Sequence, residues 1–202
     1  FKGKVIGMSL KDRGAILPAG HFANWAFWYS GTGSFISSTF YGPALPDWVT
    51  QFNNEKNYMP YINKGWSLLK PASDYNESLP DDNPYEGKLY NSEKPVFPYN
   101  LKQMYDKHGA EVMRSTPFGN DLLADFAKKA IEKEELGKDN ITDFLTMSFS
   151  STDYVGHILG PRSMELQDTY LRLDLTIAAL LDYLDKTVGK DNYLLFLTAD
   201  HA

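Results

Sequence analysis

The chain has 202 residues, of which 43% are hydrophobic and 23% charged, and its formal net charge is −6. This composition is typical of a globular domain with one sizeable core and excludes a disordered chain, while the acidic balance argues against a nucleic-acid-binding surface. The chain has no cysteine, which excludes disulfides and thiolate metal ligands, and no apolar run reaches the roughly 18 residues of a membrane span.

The first quarter of the chain predicts alternating short strands and helices. An apolar run at residues 4–10 predicts a strand, which a charged turn follows at residues 11–14. The aromatic residues of 21–29 predict a short helix, and the β-branched and aromatic residues of 34–41 predict a second strand. A proline and an aspartate at 46–47 predict the start of another short helix.

Residues 53–99 have a different character. Six prolines recur there among asparagine, aspartate, tyrosine and serine, with no sustained hydrophobic period. Such a segment cannot form one regular element. Its many tyrosines favour an ordered, cap-like insertion over a site rather than a disordered linker.

Regular alternation returns in the second half. We expect a short strand at 110–115, a helix from 119 to about 137, and a strand at 143–149. A long helix follows with Ser163 as its N-cap, and an almost entirely apolar strand follows at 193–198. Strand, helix and strand in this rhythm predict an α/β fold, with a mostly parallel sheet flanked by helices.

Six charged or imidazole side chains follow three of the predicted strands, in pairs. They are Lys11 and Arg13, Asp153 and His157, and Asp200 and His201. Ligands of open parallel α/β sheets bind outside the carboxyl ends of the strands, so we expect these pairs to face one crevice. Each pair alone is more typical of a solvated turn or a surface pair. Their shared position is what favours a two-metal phosphate site.

The chemistry of each pair fits such a site. Aspartate and neutral histidine are suitable zinc ligands, and a spacing of four residues places Asp153 and His157 on one side of a helical turn. Lys11 and Arg13, two positions apart, would share one face of an extended segment. Arginine can hold two phosphate oxygens at once, whereas lysine acts as a point charge.

These motifs resemble a known family. The residues that carry the resemblance are Ser-Thr-Asp-Tyr-Val-Gly-His at 151–157, Gly160-Pro161, Tyr-Leu-Arg-Leu-Asp at 170–174 and Leu-Thr-Ala-Asp-His at 197–201. They resemble the alkaline phosphatase superfamily, in its branch of type I phosphodiesterases and nucleotide pyrophosphatases, and Thr-Pro-Phe-Gly-Asn at 116–120 resembles the same branch. Residues 11–21 are similar to bacterial phosphate monoesterases that have a threonine nucleophile and a Lys/Arg pair.

The resemblance implies an alkaline-phosphatase-like fold, incomplete in this chain, with two zinc ions. Asp153 and His157 would hold one ion, Asp200 and His201 would hold the other, and Lys11 with Arg13 would contact the phosphoryl oxygens. Hydrolysis of a phosphate monoester would pass through a phosphothreonine. The resemblance places that threonine and the remaining zinc ligands outside these residues. We therefore expect the chain alone to be inactive and to hold zinc weakly.

Location and alternatives also follow from the resemblance. It implies a periplasmic or secreted protein whose signal sequence lies outside these residues. Two other functions stay open. One is a phosphodiesterase or nucleotide pyrophosphatase with the same metal ions. The other is a non-catalytic domain of the same fold that binds a ligand through residues 53–99.

Overall fold

A computed structural model of the chain describes residues 2–199 and 201. Its strands are β1 (Val5–Ser9), β2 (Trp25–Tyr29), β3 (Phe35–Ile36) and β4 (Phe144–Ser148). Its α-helices are α1 (Asp12–Ala19), α2 (Asp47–Asn54), α3 (Met59–Lys64), α4 (Leu101–His108), α5 (Phe118–Lys133), α6 (Ser151–Leu159) and α7 (Met164–Leu184). Among these residues, no helix is both long and apolar enough to cross a membrane.

The four strands form one sheet in the order β3-β2-β1-β4. β1 pairs in parallel with both β2 and β4, and only β3 runs antiparallel to its neighbour. The mixed, mostly parallel α/β architecture expected from the sequence is therefore confirmed. β1 is buried along its whole length, as a central strand covered on both faces should be.

Helices cover the two faces of the sheet. On one face α1 lies so close to β1 that a side chain at Gly7 would meet the carbonyl oxygen of Ala15. On the other face Phe126 of α5 stacks on Phe35 with ring centroids 3.9 Å apart, and it meets Phe27 edge-on. This aromatic core holds β2, β3 and α5 together and leaves the carboxyl ends of β1 and β4 open to other side chains.

Within the segment 21–29, Trp25–Tyr29 form the strand β2, so the predicted helix is wrong. Asn24 fixes its register, because its side-chain oxygen accepts from the N–H of Val5 and its own N–H donates to the Val5 carbonyl. Phe27 and Tyr29 are then buried against the aromatic core. Aromatic side chains fit a pleated, buried surface well, and the short run was too brief to show its period.

Four further predictions need correction. The turn at 11–14 is the start of α1, the strand at 34–41 shrinks to Phe35–Ile36, and residues 109–115 form a 3₁₀ helix, Gly109–Ser115. Residues 193–198 form no strand, because β4 pairs only with β1 among the described residues. Apolar residues alone do not make a strand without a hydrogen-bonded neighbour.

The other predicted elements are confirmed. β1, α2, α5, β4 and α7 lie where the sequence patterns place them. Ser163 caps α7, since its hydroxyl accepts from the N–H of Leu166 at 3.2 Å. Residues 53–99 have no single regular element: α3 and two 3₁₀ turns are connected by loops, and Trp66 pairs with Tyr99 in one isolated bridge.

Candidate functional site

The carboxyl ends of β1 and β4 lie side by side, and α1 starts next to both. Gly14 makes this approach possible: an added Cβ would lie 2.6 Å from Oγ of Ser9 and 2.9 Å from Oγ of Ser148. The N–H of Lys11 donates to the Ser9 hydroxyl at 3.0 Å. Lys11 is therefore fixed at the end of β1, facing the segment that leaves β4.

Four side chains converge there, and we call them the site cluster: Lys11, Asp153, His157 and His201. The Lys11 ammonium forms an ion pair with Oδ2 of Asp153. Oδ1 of the same carboxylate lies 3.2 Å from Nε2 of His157 and 3.2 Å from Nε2 of His201. Asp153 and His157 lie on one side of a turn of α6, as their spacing of four residues predicts. The carboxylate of Asp153 is the centre of the cluster, with two imidazoles and one ammonium around it.

The ammonium of Lys11 has a second contact that the sequence did not reveal. Its Nζ lies 4.6 Å from the ring centroid of Tyr154, the residue after Asp153. The negative face of an aromatic ring attracts a cation. Tyr154 thus helps to hold the ammonium beside the carboxylate.

The surroundings of Asp153 set its charge. Its side chain is 16% exposed, and this burial raises the pKa of the carboxyl. The hydrogen bond and charge of Lys11, with His157 and His201, outweigh the burial, so the pKa lies below its ordinary value. Asp153 is therefore ionised at neutral pH and can accept from a cation or bind a metal ion.

The N-terminus of α6 is positioned by α5. Oδ1 of the buried Asn120 accepts from the N–H of Ser151 at 3.2 Å. A Cβ at Gly119 would lie 2.5 Å from Oγ of Ser151 and 2.6 Å from the carbonyl oxygen of Met113. The motif at 116–120 therefore fixes the start of α6 by close packing. Because Asp153 lies in the first turn of α6, this packing also positions Asp153 at the carboxyl ends of the strands.

The structure does not place Arg13 and Lys11 on one face of an extended segment. Lys11 has an extended backbone as the N-cap of α1, but Arg13 already belongs to the first helical turn. Its side chain is exposed, and its N–H donates to Oδ1 of Asp12 at 2.7 Å. The role of Arg13 stays a prediction.

The predicted metal ligands are only partly observable. Asp200 lies outside the described residues, so its predicted role with His201 stays a prediction, and His201 lies at the carboxylate of Asp153. Within residues 2–199 and 201, no three histidine, aspartate or glutamate side chains are arranged as a preformed metal site. The donor types are nevertheless those that zinc prefers, since oxygen and imidazole nitrogen meet at one point.

A mostly parallel sheet, with an aspartate, histidines and a lysine at its strand ends, places this chain among the alkaline-phosphatase-like α/β proteins. The solved structure of the alkaline phosphatase PafA matches it with a TM-score of 0.92 and 48% identity, over 96% of this chain and 37% of that one. PafA has also been solved as a variant with a threonine, an asparagine, a lysine and an arginine replaced. The chain belongs to the type I phosphodiesterase / nucleotide pyrophosphatase family, whose sequence profile matches residues 7–202.

Two further relatives resemble this chain equally in sequence identity. Alkaline phosphatase PhoV of Synechococcus elongatus is 52% identical over 202 residues, which is 100% of this chain and 36% of that protein. A protein of Myroides odoratus named as a calcium-transporting ATPase is 52% identical over 204 residues, covering 100% of this chain and 37% of its own length. The chain thus spans little more than a third of the relatives that it matches.

Proposed function

We propose that this chain contributes part of the active site of a zinc-dependent phosphatase that hydrolyses phosphate monoesters. The observation that carries the proposal is the site cluster, in which Lys11, Asp153, His157 and His201 converge at the ends of β1 and β4. The similarity to PhoV and PafA, both named alkaline phosphatases, supports the same reaction. The nucleophile would be a threonine outside this chain.

In this proposal Asp153 and His157 hold one zinc ion, and Asp200 and His201 hold the second. The oxygen and imidazole donors of the site cluster fit zinc in chemical type. Zinc bound there would act as a Lewis acid toward the phosphoryl oxygens. The low pKa of Asp153 favours this assignment, because a metal ligand must be deprotonated.

Lys11 and Arg13 would bind the transferred phosphoryl group. Lys11 holds its ammonium at the strand ends, and Arg13 lies in the first turn of α1, where the helix dipole also favours an anion. The lysine and arginine replaced in the PafA variant are two positions apart, which is the spacing of Lys11 and Arg13. Two added positive charges favour a dianionic monoester over a monoanionic diester.

Residues 53–99 would act as a cap-like insertion beside this site, within one partial domain that spans residues 1–202. Gly87 supports this role, because a Cβ there would lie 2.1 Å from the carbonyl oxygen of Ile158. Ile158 directly follows His157 on α6. The insertion therefore packs against the helix that carries two members of the site cluster. By resemblance, the whole protein would work in the periplasm or outside the cell.

The test compares two substrates in the full-length protein that contains this chain. We expect zinc-dependent hydrolysis of an aryl phosphate monoester to exceed that of the matching diester in kcat/KM. Arg13→Ala should lower the monoester value more than the diester value, because the doubly charged group gains more from the guanidinium. Arg162→Ala, an exposed arginine before α7, is the matched control.

Two results would overturn the proposal, and a third would change the role of one residue. A preference for the diester would favour the phosphodiesterase alternative. Activity that survives zinc removal would exclude the zinc assignment. Equal losses of both activities in Arg13→Ala would give this residue a structural role instead.

A further inference from the structure

A second group of carboxylates lies where the insertion meets the start of α7. We call Asp81, Glu86 and Glu165 the carboxylate cluster. Four of their oxygens, Oδ1 of Asp81, both Oε atoms of Glu86 and Oε2 of Glu165, are buried and have no hydrogen-bond partner among the described residues. Glu165 as a whole is 0% exposed. A buried carboxylate oxygen without a partner is costly, so four of them together require an explanation.

Hydrogen bonds hold these side chains in place. Oε1 of Glu165 accepts from the hydroxyl of Tyr99 at 2.5 Å, which leaves its other oxygen free. Oδ2 of Asp81 accepts from the N–H of Phe97 at 3.2 Å. The N–H of Leu79 donates to the carbonyl of Arg162, so the segment that carries Asp81 is tied to the loop before α7. The Phe97 and Tyr99 rings lie 5.4 Å apart, so the residues that donate to Asp81 and to Glu165 contact each other.

The charges in the cluster repel one another. Burial and the charge of nearby Asp81 raise the pKa of Glu86 to about 7, although the backbone of Asn83 lowers it in part. Burial, with smaller contributions from Glu86 and Asp81, raises the pKa of Glu165 to about 7, against the hydrogen bond from Tyr99 that lowers it. In the described part of the chain, no lysine, arginine or histidine forms an ion pair with any of the three.

Asp168, another buried carboxylate on α7, has hydrogen-bond partners for both of its oxygens. Asp168 is also 0% exposed. It accepts from the indole N–H of Trp66 at 2.8 Å, the hydroxyl of Tyr75 at 2.5 Å, the N–H of Leu69 at 2.8 Å and Nε of Arg172 at 2.6 Å. Glu165, one turn earlier on the same helix, has one partner instead of four. Burial on α7 therefore does not by itself leave a carboxylate unpaired.

We propose that the carboxylate cluster binds a calcium ion, which joins the insertion to the start of α7. Calcium takes six to eight oxygen ligands, which are mono- or bidentate carboxylates, carbonyls and water. Asp81, Glu86 and Glu165 offer only oxygen donors, with a combined formal charge of −3 if all are ionised. No three acidic or histidine side chains in the described residues form a preformed metal site, so the proposal requires these three carboxylates to move closer together when the ion binds.

This site is distinct from the site cluster, but both the insertion and α7 contact α6, which carries Asp153 and His157. Glu86 precedes Gly87, which packs on Ile158 at the end of α6. Leu166, which follows Glu165, lies next to Gly156 of α6. Calcium would therefore hold the insertion against the helix that carries Asp153 and His157, and would keep the cap in place.

Calcium binding to the 202-residue chain, first freed of metal with a chelator, tests the proposal. We expect isothermal titration to show one calcium site, with magnesium binding much more weakly. Calcium at about 100 times its Kd should raise Tm by roughly 5–10 °C. Terbium in place of calcium should give luminescence excited through the aromatic rings, because the hydroxyl of Tyr99 donates directly to Glu165.

The variants Glu86→Gln and Glu165→Gln remove one charge each and keep the side-chain shape. Each should weaken calcium binding at least tenfold. Glu93→Gln, an exposed residue of the same insertion, should bind calcium like the parent chain. In chelator the Tm of both cluster variants should equal or exceed that of the parent chain, because a like charge has been removed, and this result also shows that they fold.

Two results would overturn the proposal. One is a chain whose Tm and heat of titration do not respond to calcium, which would mean that protons alone neutralise the cluster. The other is calcium binding that is unchanged in both Glu86→Gln and Glu165→Gln. Loss of phosphatase activity plays no part in this test, so the calcium site and the proposed function can fail separately.

Discussion

The starts of α6 and α7 handle negative charge in opposite ways. At the start of α6, Asp153 lies among the cation of Lys11 and two imidazoles, and its pKa falls below the ordinary value. At the start of α7, Glu165 is buried beside other carboxylates, and its pKa rises to about 7. Asp153 is partly buried, at 16% exposed, whereas Glu165 is fully buried. Burial raises the pKa of both carboxyls, and at Asp153 alone of these two the nearby cation and imidazoles outweigh it. We propose that the first region suits an anionic substrate and the second a cation.

The largest expected effect comes from removing the cation of the site cluster. Lys11→Ala should lower monoester turnover of the full-length protein by about 10²–10³-fold, because one donor to the charged transition state is lost. Lys102→Ala is the matched control, since Lys102 is an exposed lysine paired with Asp106 on α4. A loss of less than about threefold in Lys11→Ala would show that the ammonium serves only to pair with Asp153.

The opposite pKa shifts predict a pH dependence that separates the two regions. In the calcium-free chain, Glu86 and Glu165 have folded pKa values of about 7, raised from 4.5. The folded state therefore holds more protons than the unfolded state between these values. The free energy of unfolding should fall as pH rises from about 4.5 to about 7.

Urea unfolding across that pH range measures the effect. The double variant Glu86→Gln/Glu165→Gln should flatten the decline. Asp153→Asn should leave it in place, because the pKa of Asp153 lies below 3.8 and its titration falls outside this range. A decline that persists in the double variant would assign it to other groups.

The smallest of these effects concerns packing under the site cluster. Gly119→Ala should lower the free energy of unfolding by about 1–3 kcal/mol, because the new Cβ would lie 2.6 Å from a backbone carbonyl oxygen that cannot easily move. Gly156→Ala is the control: its nearest neighbour would be the Leu166 side chain at 3.5 Å, and alanine favours a helix. Equal unfolding free energies for the two variants would contradict the close approach of α5 to the 3₁₀ helix Gly109–Ser115.

Sequence patterns predicted those elements whose apolar residues follow a pattern within the element itself. β1 and β4 are short apolar runs, and the hydroxyl of Ser163 and the spacing of leucines define α7 without help from distant residues. The strand at Trp25–Tyr29 escaped prediction because its pairing depends on contacts with β1. The apolar segment 193–198 is the opposite case. Its composition favours a strand, but it has no strand partner among the described residues and does not form one.

The same distinction applies to the two clusters. Asp153 and His157 were predictable because four residues separate them on one helix. Lys11 and Asp153 lie 142 positions apart, and the expectation that parallel strand ends meet placed them at one crevice without predicting their ion pair. Glu165 carried no such pattern: its hydroxyl partner, Tyr99, is 66 positions away in a segment without a period. Sequence reasoning alone could not bring these residues together.

Zinc titration into the 202-residue chain tests the central claim, that Asp153 anchors a zinc ion, most directly. A catalytic zinc needs about three protein ligands, so the account predicts binding weaker than about 1 µM that Asp153→Asn abolishes and Glu165→Gln leaves unchanged. Submicromolar zinc binding would show that the chain holds ligands beyond those assigned here. Binding that Asp153→Asn does not alter would contradict the claim itself.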